Sequence, residues 1–323
     1  MISKFDQIIE LVKNAKSILI TSHIDPDGDS IGSQLTLENW IADSGGKVRV
    51  INQGKIPQRY LFLDTKRVID NLNDLSNPAG KADLIFVLEC SNLERTGKVK
   101  ELVAEKARII NIDHHSDNSN FGSLNYIDAK AGALGEIVYE LITYAGYRMN
   151  KDVATQLYAA ILTDTGRFSF SSTTARTLRI CSELIKLGAN HKEINNQIYY
   201  NNSESALRLL GFTLQNLETF EEGKISFMVI GQDSLKDFGA STEELEGFVD
   251  YSLFLKGAEV GVLFKQKSED LTKVSLRSQH SFDVSSLARL FGGGGHRNAA
   301  GCSIKKDLKS TKELILKKIK EAL

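Results

Sequence analysis

The feature that most constrains the fold of this chain is a series of short apolar segments in its first half, separated by stretches with helical spacing. The segments are SILITS, KVRVI, DLIFVL and ARIINI, at residues 17–22, 47–51, 83–88 and 107–112. None of them alternates cleanly between apolar and polar residues, which is typical of strands buried on both faces of a sheet. The pattern therefore predicts a parallel sheet covered on both sides.

The stretches between and after these segments have the periodicity of amphipathic helices. Helices are predicted at residues 30–44, 133–145, 151–163 and 174–187. Strands that alternate with helices favour a doubly wound α/β domain, in which helices lie on both faces of a parallel sheet. We assign this domain to residues 1–188.

The second half of the chain has a different pattern. A chain of 323 residues is long for a single core, so two domains are expected. Residues 189–219 are polar with helical spacing and are interpreted as a helical linker. Residues 220–323 are predicted to form a smaller α/β domain with a mixed sheet. Its predicted strands and helices lie at 224–231, 258–266, 272–279, 283–291 and 309–322.

Charge and composition limit the possible partners. Forty basic and 41 acidic residues give a net charge of −1, whereas proteins that grip long nucleic acids usually carry a basic excess. A small anionic ligand is the better expectation. No apolar run approaches the roughly 18 residues of a membrane helix. Three scattered cysteines and an amphipathic N-terminal segment favour a reduced, cytoplasmic protein without a membrane partner.

The segment HIDPDGDS, residues 23–30, directly follows the first predicted strand. Its three carboxylates repel one another unless a cation or ordered hydrogen bonds compensate for them. Ligand sites of open α/β sheets form at this end of the strands. The Asp-Pro-Asp-Gly sequence is also typical of a simple turn, and Asp25, which precedes proline, is interpreted as a turn former.

Further polar groups follow other predicted elements. Glu89 follows the third strand, Asp113-His114-His115 follow the fourth, and Asp164 ends a helix. Each could alone be a surface group. Oxygen and imidazole ligands together favour Mn, Mg, Fe or Zn. Two ions about 3.5–4 Å apart that share a carboxylate are the usual arrangement for in-line attack on phosphorus.

The motifs HIDPDGD, VLEC, DHH and TD, in this order, resemble those of the DHH phosphoesterase superfamily. FGGGGHRNAAG, residues 291–301, resembles the glycine-rich signature of its DHH-associated domain. Both signatures together are similar to the NrnA-type branch, which degrades very short RNA and dephosphorylates pAp, and whose relatives cleave linear dinucleotides such as pApA. The resemblance implies a hydrolase with two divalent ions, for which Mn²⁺ is the first candidate and Mg²⁺ the second. It also implies an active site in a cleft between the domains, and it is compatible with a homodimer.

The resemblance also implies roles for individual residues. Asp113 would orient His114, and His115 would contact the scissile phosphate or assist the leaving oxygen. Six metal ligands are implied, with Glu89 bridging the ions: His23 and Asp27 on one ion, and Asp29, His114 and Asp164 on the other. In the second domain the implied substrate-binding residues are Gly293, Gly294, Gly295, His296, Arg297 and Arg277.

Some of these residues have simpler interpretations. The glycine run could let backbone N–H groups approach a phosphate, or could be a flexible loop or a helix cap. The two arginines, Arg277 and Arg297, could be surface charges. Arg95, in LERTG, is either a phosphate contact or the partner of Glu94, or of another nearby acid, in an ion pair.

The sequence departs from the family pattern at two positions. Glu89 stands where the family usually has Asp, and Asp25 where it usually has Asn. Because the Glu89 side chain is longer than that of aspartate, a nucleotide-binding sensor without catalytic activity stays open as an alternative function. An inorganic pyrophosphatase or polyphosphatase is the alternative that shares the core. A RecJ-like exonuclease fits less well, because such chains carry further nucleic-acid-binding domains.

Overall fold

The computed structural model describes residues 3–76 and 82–323, and the chain divides into two compact units between Asn201 and Asn202. The first unit contains a six-stranded sheet in the order β3-β2-β1-β4-β5-β6, and every neighbouring pair is parallel. Its strands are β1 Ile18–Thr21, β2 Val48–Asn52, β3 Ile69–Asn71, β4 Ala82–Leu88, β5 Val103–Asp113 and β6 Leu124–Ile127. The predicted parallel α/β sheet is confirmed, although β3 and β6 were not predicted.

Helical segments cover both faces of this sheet. The α-helices contribute to one large core, and the opposite face is covered mainly by the 3₁₀ helix Leu93–Leu102. Along β1, Ile18 and Ile20 point to the first core and Leu19 to the second, as expected for a strand buried on both sides. The helices of this unit are α1 Lys4–Asn14, α2 Gly28–Asp43, α3 Leu134–Tyr144, α4 Lys151–Asp164, α5 Ala175–Lys186 and α6 His191–Tyr199.

Helix α2 packs closely against α4. Its first turn is capped by the Asp27 carboxylate, which accepts a hydrogen bond of 3.0 Å from the Ser30 amide. A Cβ atom on Gly28 would lie 2.5 Å from Oγ1 of Thr163, and one on Gly32 would lie 2.3 Å from the carbonyl oxygen of Gln156. The two glycines therefore allow the helices to approach closely, which brings the HIDPDGDS segment next to the end of α4.

The second unit contains a six-stranded sheet in the order β11-β12-β10-β9-β8-β7. Only β8 and β9 pair in parallel, so the predicted mixed sheet is confirmed. Its strands are β7 Glu218–Phe220, β8 Ile225–Ile230, β9 Val260–Ser268, β10 Leu271–Ser278, β11 Gly294–His296 and β12 Ala299–Ile304. Its helices are α7 Glu204–Gln215, α8 Ser234–Phe238, α9 Val284–Arg289 and α10 Leu308–Ala322.

The predicted linker contains two helices that pack in different units. Ile194 and Ile198 of α6 belong to the large core of the first unit, whereas Leu209 and Leu210 of α7 belong to a core of the second. The change of unit thus lies inside residues 189–219, and the domain limits at 188 and 220 stay a prediction. Within the described ranges, the helices are too short or too polar to cross a bilayer.

Candidate metal centre

The polar motifs of the first unit meet at one edge of its sheet. HIDPDGDS follows β1, Glu89 follows β4, and Asp113 ends β5. These three strands are parallel neighbours, so their carboxyl ends lie at the same edge. Asp164, the last residue of α4, reaches the same place because α4 packs on α2. Oδ2 of Asp164 lies 3.3 Å from Nε2 of His114.

The six side chains predicted as metal ligands form two groups that share Glu89. In each group, one potential ligand atom from every residue lies within 4.8 Å of the others. Asp25, interpreted as a turn former, is exposed and belongs to neither group. The groups are His23, Asp27 and Glu89, and Asp29, Glu89, His114 and Asp164.

The electrostatics of these groups fit a bound cation. Asp29 is fully buried and Glu89 is only 2% exposed. Burial raises the pKa of Glu89 well above its usual range, and the charges of Asp27, Asp29 and Asp164 raise it further. Burial also raises the pKa of Asp29, and the negative charge of Asp164 raises it further. The charge of His114 partly offsets this increase. Several buried carboxylates that destabilise one another are a donor set suited to divalent ions.

Glu89 adopts an unusual backbone conformation. Its φ of 54° lies in the left-handed region, which costs a non-glycine residue about 1–3 kcal/mol. Its amide donates a hydrogen bond of 3.1 Å to the Ile112 carbonyl. The Ser30 hydroxyl donates to the Glu89 carboxylate and lies 2.9 Å from Nε2 of His23. Ser30 therefore links His23 and Glu89, two residues of one group. This role was not predicted, although Ser30 is the last residue of the HIDPDGDS motif.

Asp29 is held by the beginning of helix α3. Its two carboxylate oxygens accept hydrogen bonds from the backbone amides of Leu134, at 2.5 Å, and Gly135, at 2.8 Å. The Ser33 hydroxyl adds a contact of 3.2 Å. The amino end of a helix favours negative charge, so α3 orients this carboxylate. No sequence signal connects residues that lie 105 positions apart.

Asp113 orients His115 rather than the ring of His114. Its Oδ1 lies 2.7 Å from Nδ1 of His115, and the two backbone amides of His114 and His115 donate to the same oxygen at 2.8 and 3.3 Å. The Nδ1 atom of His114 instead lies 3.2 Å from the Ala131 carbonyl oxygen. The expectation that Asp113 orients the His114 ring is therefore wrong. Asn118 donates to the other Asp113 oxygen at 2.6 Å.

The charge states of these side chains follow from their surroundings. Burial tends to raise the pKa of Asp113, but hydrogen bonds from His115 and Asn118 and the nearby histidine charges lower it to about 2. Asp113 is thus ionised at neutral pH. Burial lowers the pKa of His23 to about 4, so this ring is neutral and can bind a metal through nitrogen.

Arg95 lies near the His23 group. The Ile24 amide donates to the Arg95 carbonyl at 2.9 Å, which ties the start of the 3₁₀ helix to HIDPDGDS. The side chain is half-buried, and its charge acts on His23. Glu94 pairs with Lys100, so the alternative ion pair between Glu94 and Arg95 is not what the structure contains.

An ion-pair network supports the loop that leads into α3. Arg176 binds Asp128 at 2.6 Å and both carboxylate oxygens of Glu140 at 2.8 Å, and its Nε lies 3.4 Å from buried Glu136. The backbone amide of Ala131 donates to the Asp128 carbonyl at 3.0 Å. The network therefore supports the carbonyl group that orients His114.

Two of the three predicted substrate-binding glycines of the second unit have a structural role. A Cβ on Gly293 would lie 2.1 Å from the Gly301 carbonyl oxygen, and one on Gly295 would lie 2.5 Å from that of Ala299. Both glycines thus permit close packing against β12. Gly294 faces open space, with no atom within 4 Å of a Cβ built there.

The other predicted substrate-binding residues lie near these glycines or on the neighbouring strand β10. His296 ends β11, while Arg297 is exposed and donates to the Ser281 carbonyl at 2.7 Å. Arg277, on β10, donates through Nε to the Asp250 carboxylate at 2.7 Å. Their role toward a substrate stays a prediction.

Comparisons with known proteins agree with this architecture. The family description "DHH family, N-terminal domain" matches residues 17–161, and "DHHA1 domain" matches residues 223–323. The bifunctional oligoribonuclease and PAP phosphatase NrnA of Thermus thermophilus is 31% identical over 99% of this chain and 94% of its own length. The protein of the same name from Bacillus subtilis is 30% identical over 92% of each chain.

A solved structure is also similar to this chain. The exopolyphosphatase-related protein from Bacteroides fragilis superimposes with a TM-score of 0.91 at 29% identity, covering 98% of this chain and 96% of that one. Full-length identity of about 30% to curated relatives, together with both domain matches, establishes the family. The chain belongs to the DHH family of phosphoesterases, with a DHH domain followed by a DHHA1 domain.

Proposed function

We propose that this protein is a two-metal phosphoesterase that hydrolyses short oligoribonucleotides, linear dinucleotides such as pApA, and pAp to nucleoside monophosphates. The observation that carries the proposal is that buried Glu89 belongs to both ligand groups, as a bridging carboxylate would. The names of the curated relatives, oligoribonuclease and PAP phosphatase, support this substrate class. Mn²⁺ is the first candidate for the ions and Mg²⁺ the second.

The proposed ligands divide as the two groups do, with Glu89 common to both. Bound divalent ions would supply Lewis acidity toward the phosphate and activate a water molecule. Ser30 would hold the bridging carboxylate, and the amino end of α3 would hold Asp29 in a fixed orientation. This chain would therefore present its ligands already oriented.

His115 is the proposed proton donor to the leaving oxygen. Its Nδ1 lies 2.7 Å from the ionised Asp113 carboxylate, which orients the ring. That arrangement leaves Nε2 as the atom from which a proton can pass to the leaving oxygen. Half-buried Arg95, beside His23, is proposed to contact the phosphate as a fixed cation.

The second unit is proposed to hold the nucleotide portion of the substrate. Arg277 and Arg297 would supply positive charge, His296 a hydrogen bond, and Gly293–Gly295 backbone N–H groups. Close packing on β12 already explains why Gly293 and Gly295 are glycines. Gly294, which faces open space, is therefore the strongest candidate of the three for a backbone contact with the phosphate. The three buried, free cysteines support a cytoplasmic location. A homodimer stays a prediction.

The decisive experiment is a substrate panel combined with ligand variants. The panel contains pAp, pApA, RNA of two to five units, long RNA and pyrophosphate, each with Mn²⁺ or Mg²⁺. We expect hydrolysis of the short nucleotides, and loss of that hydrolysis in Asp29→Ala and His114→Ala. Asp25→Ala is the matched control, because Asp25 lies exposed in the same loop outside both groups.

Metal content, measured on the same samples, separates lost ligands from lost folding. We expect about two ions per chain in the wild type and in Asp25→Ala, and fewer in the two ligand variants. Fluorescence of Trp40, buried in the first unit, reports whether each variant is folded. A folded variant that lacks His114 and still hydrolyses pAp at the wild-type rate would contradict the assignment. Turnover of pyrophosphate alone would favour the pyrophosphatase alternative.

A second candidate function rests on Glu89 itself. A glutamate in the left-handed region, where the family usually has aspartate, is compatible with a nucleotide-binding sensor that does not turn over. Nucleotide binding and hydrolysis by the wild type and Glu89→Asp distinguish the two. A sensor binds equally well in both forms and hydrolyses in neither, whereas an enzyme hydrolyses in the wild-type form.

A further inference from the structure

Two aromatic rings lie exposed on the surface of the second unit. Tyr251 is 37% exposed and Phe254 is 67% exposed, and their ring centroids lie 5.0 Å apart with planes tilted by 42°. They stand at the end of the 3₁₀ helix Phe248–Leu253. Large apolar rings usually lie in a core, so a contacting pair at the surface suggests a binding role.

The segment that carries these rings is firmly anchored. Phe248 and Val249 are buried in a core of the second unit. The Ser252 hydroxyl donates to the Val249 carbonyl at 2.5 Å, and the Ser252 carbonyl accepts a hydrogen bond from the Ser226 hydroxyl. The rings are therefore displayed from a base that is already ordered.

The spacing of the rings follows from the local helix. Residues three apart in a 3₁₀ helix lie one above the other. The Phe254 amide donates to the Tyr251 carbonyl at 3.1 Å, which continues that geometry by one residue. The two rings thus form one surface, and a ligand that stacks on it does not have to order it first.

The segment that carries the rings is joined to Arg277 through an ion pair. Asp250, next to Tyr251 in sequence, accepts the hydrogen bond from Nε of Arg277. The Gln279 side-chain amide donates to the Leu253 carbonyl at 3.2 Å, which ties the same segment to the end of β10. Proteins bind single-stranded nucleic acids through aromatic side chains, on which the bases stack, and through basic side chains that contact the phosphates.

We propose that Tyr251 and Phe254 form a stacking platform for a nucleobase of the substrate, with the adjoining phosphate near Arg277. This inference rests on the proposed function, since it names how the same substrate is held. Stacking does not read the edges of a base, so the platform accepts all four bases. It thereby supplies affinity for short RNA without sequence preference.

The size of the surface argues against a second copy of this chain as the occupant. A stable interface buries about 800 Å² on each partner. Two aromatic side chains supply at most about 150–250 Å² each, and here both are already partly covered. A single nucleobase matches the extent of the two rings.

The test uses tryptophan as a reporter at the platform. The chain has one tryptophan, Trp40, which is buried in the first unit, so Phe254→Trp adds an exposed reporter. In EDTA, where hydrolysis cannot proceed, dinucleotides of A, C, G and U are each expected to quench its emission with affinities within about tenfold of one another. Ribose 5-phosphate, which has no base, is expected to leave the emission unchanged.

A matched reporter and a truncation complete the test. Leu207→Trp places the same side chain at a 54% exposed position of α7 and is expected to show no quenching. Phe254→Ala is expected to weaken dinucleotide binding about 5- to 150-fold, the equivalent of about 1–3 kcal/mol of stacking. With Mn²⁺, the loss should appear in KM and leave kcat unchanged. Ribose 3′,5′-bisphosphate, the base-free counterpart of pAp, should react equally with both forms.

Three results would overturn the platform: equal quenching of both reporters, an unchanged affinity in Phe254→Ala, or an emission change that follows protein concentration instead of nucleotide. The last result would assign the rings to contact with a second copy. Failure of the proposed function is seen separately, as absence of hydrolysis by the wild type. Quenching by dinucleotides in that case would still support the platform.

Discussion

Replacing Arg176 by methionine should destabilise the first unit and weaken its metal centre together. Methionine retains the apolar length of the side chain but removes its hydrogen bonds to Asp128 and Glu140. It also leaves Glu136, which is fully buried, without the guanidinium group 3.4 Å away. Because that charge helps to limit the already raised pKa of Glu136, its loss leaves a buried carboxylate poorly compensated.

The size of the effect follows from burial. Breaking a buried pair costs about 3–5 kcal/mol, whereas an exposed pair contributes about 0–1 kcal/mol. Arg176 is 25% exposed and its partners range from 0% to 37%, so the network lies between these limits. We expect Arg176→Met to lower the free energy of unfolding by about 2–4 kcal/mol. Arg176→Lys should recover only part, because lysine cannot bind Glu140 through two parallel hydrogen bonds.

Urea unfolding followed by Trp40 fluorescence measures this change in the first unit alone, since the chain has no other tryptophan. Arg49→Met is the matched control, because the pair of Arg49 with Asp70 is about 40% exposed on both sides and should contribute less than about 1 kcal/mol. Calorimetric titration with Mn²⁺ should show an affinity reduced about 10- to 100-fold in Arg176→Met, since the Ala131 carbonyl loses its support. If Arg176→Met unfolded like Arg49→Met and bound Mn²⁺ like the wild type, the supporting role of the network would be refuted.

Two further predictions concern other parts of the chain. Gly32→Ala should lower the free energy of unfolding by about 1–3 kcal/mol, because the new Cβ would lie 2.3 Å from the Gln156 carbonyl oxygen in α4. Urea unfolding followed by Trp40 fluorescence measures this change. An unchanged midpoint would show that α2 and α4 can move apart without cost. Lys265→Met should stabilise the second unit in a pH-dependent way. Burial, followed by the charges of Lys267 and Lys273, lowers the pKa of Lys265 from 10.5 to about 7. The native state therefore disfavours the ammonium form, and the gain should be largest below about pH 7 and fade as the pH rises toward 10.5. Calorimetric unfolding at several pH values checks this, and a gain that did not vary with pH would contradict it.

Much of the fold and the identity of the site's side chains could be predicted from the sequence. The buried strands β1, β4 and β5 are continuous apolar runs, and the polar motifs directly follow them. Parallel neighbours bring their carboxyl ends to one edge, so local sequence and a general rule of sheets suffice to predict that His23, Glu89 and His114 meet. The short strands β11 and β12 escaped prediction, because three-residue or glycine-rich strands lack a periodic signal.

The sequence by itself determined the type of sheet, the edge at which the ligands gather and the hard-donor chemistry of the site. Only the tertiary structure decided how those ligands are held. One example is the hydrogen bond from the amino end of α3 to Asp29. Others are the contact between the Ala131 carbonyl and His114 and the contact between Asp113 and the His115 ring. The physical reason is that periodicity and strand order follow from local side-chain patterns, whereas hydrogen bonds between distant segments depend on how packed helices and loops meet. The exposure of the Tyr251 and Phe254 rings is of the same kind, because only packing determines which apolar side chains remain uncovered.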